Sequence, residues 1–155
     1  MLSALLLLLA LSLSTPAAAQ EAPEFWIKNL RGERFDTQTH KGPFVVSFFF
    51  VGCVPCIEEI PALHAFMAQE FPGAGLLFVD PVGEDSQQAV EEFADRLGVP
   101  HSYFYRDPLG RLQRKFFSGQ IGYPTIVGVK NRKRVFRLDG IGPDGLASIR
   151  SALSR

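Results

Sequence analysis

The sequence contains few cysteines and no surplus of either charge, and both features exclude classes of function. Its 155 residues include two Cys, too few for a disulfide-rich scaffold or for a zinc site built only from cysteine. The 16 Lys and Arg equal the 16 Asp and Glu in number, whereas nucleic-acid binding requires a basic surplus. The composition therefore argues against nucleic acid as the main partner. With 46% apolar and 21% charged residues, it is typical of one globular domain.

Charged side chains are absent from residues 1–19. The run from Leu2 to Leu13 is nearly continuous Leu, Ala and Ser, and small residues in an A-x-A arrangement precede Gln20. These features predict a signal peptide at 1–19 and a single domain at 20–155, exported to an oxidising compartment such as the bacterial periplasm. An uncleaved membrane anchor is the alternative, although the run is shorter than the roughly 20 residues that span a bilayer. We expect membrane contact only in that case.

The apolar pattern of residues 20–155 predicts an α/β domain. Phe44–Val51 and Gly75–Asp80 are apolar runs typical of buried parallel strands. A helical stripe from Cys56 to Met67 follows the first run, and a second helix with Ser86 as its N-cap follows the other. The remaining predicted elements are a hairpin at Phe25–Leu30 and Glu33–Asp36, strands at Pro124–Val129 and Arg134–Leu138, and a last helix with Pro143 in its first turn. This order predicts one mixed sheet, parallel in its first half and antiparallel in its second, flanked by helices and carrying an added N-terminal β-hairpin.

Both cysteines lie in one motif, Cys53-Val54-Pro55-Cys56, where the first central strand leads into the first helix. A C-x-x-C beside a βαβ pattern indicates redox chemistry. Unpaired backbone N–H groups and the helix dipole favour the reactive thiolate at a helix N-terminus. We expect Cys53 to be partly exposed and to attack, and Cys56, which belongs to the apolar stripe, to be buried and to resolve the mixed disulfide. Val54 and Pro55 offer the thiolate neither charge nor a donor, which favours a reducing couple.

Two other uses of a cysteine pair remain as alternatives. A peroxidase of the peroxiredoxin type requires Thr three residues before the attacking Cys, where this sequence has Phe50. A metal-delivery protein of the copper-assembly kind requires a wider C-x-x-x-C and a later His, whereas no His follows His101. The motif therefore favours thiol–disulfide exchange, for which no metal or other cofactor is expected.

Four motifs resemble those of the TlpA/ResA-like group, the exported thiol–disulfide oxidoreductases of the thioredoxin-fold superfamily. They are Cys53-Val54-Pro55-Cys56, Glu59-x-Pro61-x-Leu63, Val82-Gly83-Glu84 and Gly122-Tyr123-Pro124-Thr125, and the resemblance covers about residues 23–153. It implies a thioredoxin-like fold in which Pro124 is a cis proline. It also implies that Tyr123 and Pro124 bind an extended substrate strand, and that Glu84 accepts a proton from the dithiol. Asp80 is a second candidate for the role of Glu84.

The same resemblance implies a function and its partners. The chain would be a disulfide reductase acting on exported proteins with disulfides, such as apocytochrome c or the cysteine pair of a copper chaperone. It would take electrons from a membrane thiol donor, because its own compartment is oxidising. Two positions depart from the pattern of the group. It usually has Trp directly before the first Cys, where this sequence has Gly52, and another Trp four residues before that Cys, where this sequence has Phe49.

Overall fold

A computed structural model describes residues 20–155 of the chain. The signal peptide predicted at 1–19 lies outside the described residues and stays a prediction. In the described part, none of the helices combines the length and the apolar character that a membrane span requires.

A five-stranded mixed sheet forms the centre of the domain. Its strands are β3 (Phe44–Phe48), β4 (Gly75–Asp80), β5 (Phe104–Arg106), β6 (Thr125–Lys130) and β7 (Lys133–Asp139), in the order β5-β4-β3-β6-β7. β3, β4 and β5 are parallel, and β6 is antiparallel to both β3 and β7. A separate antiparallel pair, β1 (Trp26–Lys28) and β2 (Arg34–Asp36), forms the predicted N-terminal hairpin. The predicted fold class is therefore confirmed.

Four α-helices among residues 20–155 cover the two faces of this sheet. They are α1 (Val54–Glu70), α2 (Gln87–Leu97), α3 (Arg111–Phe116) and α4 (Gly145–Ser154). One core contains side chains of α1, α2 and α4 together with both cysteines. The second core lies on the other face and contains Leu112 and Phe116 of α3 and Phe25, the residue before β1. Both cores are continuous along the sheet because β3 and β4 are buried on both faces.

Local signals fix the ends of α2. The Ser86 hydroxyl accepts a hydrogen bond from the Ala89 amide at 3.1 Å, which satisfies one free N–H of the first turn. Gly98 ends the helix in the left-handed conformation, with φ of 66°. The N-cap agrees with the sequence prediction for this helix.

The last helix begins later than the sequence pattern indicates. We predicted Pro143 in its first turn, but α4 begins at Gly145. Gly140 and Gly142 have positive φ values of 88° and 54°. They therefore lie in a turn and not in a right-handed helix. Pro143 therefore belongs to the turn before α4, and that part of the prediction is wrong.

Candidate active site

The cysteine pair lies at the point where β3 leads into α1. Cys53 is the N-cap of α1, and Cys56 lies in its first turn. Their sulfurs form a disulfide bond, with the two Cα atoms 5.3 Å apart. No acidic side chain occurs in the first turn of this helix, so the positive end of the helix dipole acts on the sulfur of Cys53 without local compensation.

Cys53 is less accessible than predicted. Only 2% of its surface is exposed, compared with 0% for Cys56. Its sulfur is bonded to that of Cys56, and both cysteines belong to the core cluster that contains Ile60. The exposed part of the motif is Val54, at 74%. The predicted burial of Cys56 is confirmed, and the predicted exposure of Cys53 is wrong for the disulfide-bonded form.

An aromatic pair lies beside the cysteines. The rings of Phe50 and Tyr123 contact edge to face, with centroids 5.5 Å apart. Both pack against the core cluster that contains Cys53. A β-carbon on Gly52 would lie 2.8 Å from Cε2 of Phe50. Phe50 therefore occupies space that a side chain at position 52 would need.

The peptide bond between Tyr123 and Pro124 is cis, as the resemblance implies. β6 begins at the next residue, Thr125, which pairs with Phe48 at the end of β3. Pro124 is therefore next to the strand that leads to Cys53. The Tyr123 hydroxyl donates to Oε1 of Gln113 at 2.8 Å, and burial raises the pKa of Tyr123. Binding of a substrate strand by Tyr123 and Pro124 stays a prediction.

Glu84 lies in the loop between β4 and α2, and its side chain is exposed. Within residues 20–155 it takes part in no side-chain hydrogen bond or ion pair, unlike its neighbour Asp85. Oδ2 of Asp85 accepts a hydrogen bond from the Val51 amide at 3.0 Å. The role of Glu84 as a proton acceptor stays a prediction.

Asp80 ends β4 as a buried carboxyl group with 1% of its surface exposed. Its Oδ1 accepts a hydrogen bond from the Val82 amide at 2.8 Å, whereas Oδ2 has no hydrogen-bond partner among the described residues. Burial raises the pKa of Asp80 to about 8, and the nearby Asp85 carboxyl adds to this rise. Asp80 therefore holds a proton at neutral pH.

Three residues near the site were not predicted to act there: Glu59, Asp85 and Phe50. Oε2 of Glu59 accepts a hydrogen bond from the Ile141 amide at 2.8 Å, which ties α1 to the loop before α4. The contact between Glu59 and Ile141 joins residues 82 positions apart, and the contact between Asp85 and Val51 joins residues 34 positions apart. No local sequence pattern could therefore have indicated either contact. Only the Glu-x-Pro motif pointed to Glu59. Among residues 20–155, no group of three or more His, Cys, Asp or Glu side chains is arranged to hold a metal ion.

No protein-family model matches the chain. The thioredoxin-like protein YneN of Bacillus subtilis (strain 168) is 33% identical over 78 residues, which are 49% of this chain and 46% of that protein. The matched part thus spans about half the length of this curated relative.

Solved structures with the same fold match a larger share of the chain. A thiol:disulfide interchange protein of the thioredoxin family from Chlorobium tepidum is 20% identical, with a TM-score of 0.72 over 90% of this chain and 97% of that one. StoA from Bacillus subtilis is 22% identical, with a TM-score of 0.68 over 84% of this chain and 96% of that one. A secreted disulfide oxidoreductase of Mycobacterium tuberculosis is 18% identical, with a TM-score of 0.63 over 84% of this chain and 94% of that one. The chain therefore has a thioredoxin-like fold, in agreement with the resemblance that its motifs indicate.

Proposed function

We propose that the protein is a thiol–disulfide oxidoreductase that reduces disulfides in exported protein partners through Cys53 and Cys56. The observation that carries this proposal is the bonded cysteine pair at the N-terminus of α1. The adjacent cis Pro124 and the similarity to thiol:disulfide interchange proteins support it.

The reaction is two successive thiol–disulfide exchanges. The Cys53 thiolate attacks one sulfur of the partner disulfide, which forms a mixed disulfide and releases the other sulfur as a thiolate. The Cys56 thiolate then attacks the Cys53 sulfur, closes the Cys53–Cys56 disulfide and releases the second partner thiolate. The partner gains two electrons from the dithiol, and the protons of the two cysteines pass to its two thiolates.

Three groups around the cysteines stabilise the thiolate, bind the partner and accept a proton. The N-terminus of α1 stabilises the Cys53 thiolate before the first exchange. The backbone of Tyr123, before Pro124, pairs with an extended segment of the partner. Glu84, in the exposed loop after β4, is the proposed proton acceptor for Cys56 during the second exchange.

The composition of the motif supports the direction of electron flow. Val54 and Pro55 provide no charge and no side-chain donor to the Cys53 thiolate, and weak stabilisation of the thiolate favours a reducing couple. The apolar leader at 1–19 supports export to an oxidising compartment such as the periplasm. A reductase there needs a membrane thiol donor to regenerate its dithiol. Apocytochrome c and copper-chaperone cysteine pairs are the partners that the resemblance suggests.

The test is reduction of insulin disulfides by the purified wild-type protein, by Cys53→Ser and by Cys56→Ser. We expect turnover by the wild type only, and a stable mixed disulfide with Cys56→Ser, because this variant keeps the nucleophile but loses the resolving thiol. Mass spectrometry of that adduct identifies the partner when the variant is produced in cells. Turnover at the wild-type rate by both variants would contradict the mechanism. A redox titration checks the direction, since a potential near those of strongly oxidising exported oxidases excludes a reductase.

A further inference from the structure

A cavity of about 440 Å³ lies between α3 and β7, and the reaction at the cysteines does not use it. Four cationic side chains line this cavity: Arg114 and Lys115 of α3, and Arg134 and Arg137 of β7. Among the described residues that line it, none is Asp or Glu, although the whole chain has as many acidic as basic residues. We call the space between these four side chains the basic cavity. A concave site lined by one sign of charge attracts groups of the opposite sign.

Aromatic rings support two of the four cations. The guanidinium of Arg134 lies 5.2 Å from the ring centroid of Phe116 and 5.8 Å from that of Phe117. The guanidinium of Arg137 lies 4.7 Å from the ring centroid of Phe117. A guanidinium packed on a ring keeps N–H groups at its edge, where they match the geometry of a carboxylate or phosphate. The basic cavity therefore presents arginine side chains whose orientation is already restricted.

Arg134 has hydrogen-bonding capacity that the described residues do not use. Its Nε atom is buried and has no hydrogen-bond partner among residues 20–155, and its Nη2 donates to the Lys115 carbonyl oxygen at a long 3.4 Å. A buried charged donor without an acceptor costs free energy. Arg137 does have a carboxylate partner, Asp139 at 3.2 Å, but that pair is exposed and therefore weak. An anion from outside the domain would supply the acceptors that this guanidinium lacks.

The space around these arginines is longer than a single small ion requires. A second cavity of about 320 Å³ shares Arg134, Arg137 and Phe117 with the basic cavity, and Val135 and Phe136 also line it. The cationic surface therefore continues along β7. A free phosphate ion would occupy a small part of this length, whereas an extended peptide with several carboxylates would follow it.

The basic cavity is close to the proposed substrate-binding strand. One wall consists of residues 117–121, and the chain then continues through Gly122 to Tyr123 and the cis Pro124. Because a residue advances the chain by at most about 3.6 Å, Ile121 lies within about 7 Å of Tyr123, and Phe117 lies within about 22 Å of it. A partner segment of roughly six extended residues therefore spans the distance from Tyr123 to the far end of this wall. This position favours a protein partner over a lipid surface.

We propose that the basic cavity binds an acidic segment of the disulfide-containing partner, so that the protein prefers exported partners with Asp or Glu residues near their disulfide. The carboxylates of that segment accept charge-assisted hydrogen bonds from Arg134 and its cationic neighbours. Electrostatic complementarity of this kind selects among partners. The inference rests on the proposed function in taking the partner to be a protein with a disulfide.

The first experiment measures binding without any redox step. Fluorescence anisotropy follows a labelled, cysteine-free peptide of alternating Glu and Gly, and its counterpart with Gln in place of Glu. Wild type is compared with Arg134→Gln, Arg114→Gln and the control Arg96→Gln, which removes the same charge from a guanidinium stacked on Phe93 of α2, outside the basic cavity. We expect wild type and Arg96→Gln to bind the Glu peptide more tightly than the Gln peptide. Arg134→Gln should weaken binding of the Glu peptide roughly tenfold, because a charge-assisted hydrogen bond is lost, and added salt should weaken it in wild type.

The second experiment connects binding to the reaction. The reduced protein acts on two disulfide peptides that are identical except for Glu or Gln residues beside the disulfide. Wild type and Arg96→Gln should have a lower KM for the Glu peptide, and in Arg134→Gln the ratio of the two KM values should approach about one.

Equal affinity of wild type and Arg134→Gln for the Glu peptide would overturn the proposal, as would equal affinity of wild type for the Glu and Gln peptides. If Arg134→Gln fails to fold, Arg114→Gln decides in its place, since that side chain is exposed. Inorganic phosphate and vesicles containing phosphatidylglycerol are tested in parallel. Binding of either one in the absence of binding to the Glu peptide would also overturn the proposal.

The two experiments separate this inference from the proposed function. The peptide of the binding test has no cysteine, so a failure to reduce insulin would contradict the proposed function and leave the binding result intact. Reduction of insulin together with equal KM values for the Glu and Gln peptides in wild type would overturn the inference alone.

Discussion

The ring of Phe50 lies where a side chain at Gly52 would begin, with its Cε2 atom 2.8 Å from the position of a β-carbon on Gly52. The same ring contacts Tyr123 edge to face. The group that this chain resembles has Trp directly before its first cysteine. In this chain the aromatic ring belongs to Phe50, three residues before Cys53. Because that ring fills the space, the residue at position 52 must be small.

Replacing Gly52 by Trp should destabilise the protein unless Phe50 is also removed. The indole has to displace the Phe50 ring from a packed position, and overpacking of this kind costs about 1–3 kcal/mol. Denaturant unfolding of the oxidised protein measures this cost. In the Phe50→Ala background the same Trp should cost much less, because the space is free.

Gly119→Trp is the matched control for this pair. A β-carbon on Gly119 would meet no atom within 4 Å, so Trp there should change the free energy of unfolding by less than about 0.5 kcal/mol. Equal costs of Gly52→Trp with and without Phe50 would show that the two positions do not compete for space.

Asp80 should make the stability of the oxidised protein fall with rising pH. Its pKa rises from the ordinary value of 3.8 to about 8 on folding, so the folded state holds one more proton than the unfolded state between these values. Raising the pH then favours unfolding, by up to about 1.4 kcal/mol for each unit. The amide in Asp80→Asn cannot titrate. The free energy of unfolding of this variant minus that of the wild type should therefore increase between pH values of about 5 and 7 and stay constant above about 8.

Urea unfolding of both oxidised proteins across this range measures the difference, since disulfide-bonded cysteines do not titrate. Asp144→Asn is the control and should follow the wild type, because the Asp144 side chain is exposed and makes no capping hydrogen bond. A constant difference between Asp80→Asn and the wild type at all pH values would mean that Asp80 keeps an ordinary pKa in the folded state.

Local patterns in the sequence predicted most of the fold but only part of the site. The limits of β4 at Gly75 and Asp80 were predicted to the residue, because an apolar run ends there at a charged residue. Ser86 was identified because an N-cap acts within three residues of its own position. The contact of Asp85 with Val51 depends instead on how two loops meet at one edge of the sheet. The burial of Cys53 likewise depends on packing between α1 and residues distant in sequence.

Asp107 should be the most important cap in the domain. Its carboxyl oxygens accept hydrogen bonds from the amides of Arg111, Leu112 and Gln113 at 2.8, 2.8 and 3.1 Å. Asp107→Ala leaves three N–H groups at the start of the short helix α3 without this acceptor, and we expect a loss of about 2–3 kcal/mol in the free energy of unfolding. Asp144→Ala is the control, because Asp144 is the N-cap of α4 but its side chain makes no capping hydrogen bond. A similar loss in both variants would exclude this explanation.

Changes at Tyr123 should separate the roles of its ring and its hydroxyl. Tyr123→Phe keeps the ring on Phe50 and loses the hydrogen bond to Gln113, which should cost about 1 kcal/mol of stability and leave the KM for a disulfide-containing protein unchanged. Tyr123→Ala also removes the ring beside the cysteines, and we expect KM to rise roughly tenfold with a smaller change in kcat, because aromatic rings dominate contact energies at binding surfaces. Tyr103→Ala is the control, since that ring contacts His64 of α1 instead. An unchanged KM in Tyr123→Ala would remove the ring from substrate binding and leave only the backbone before Pro124 for that role.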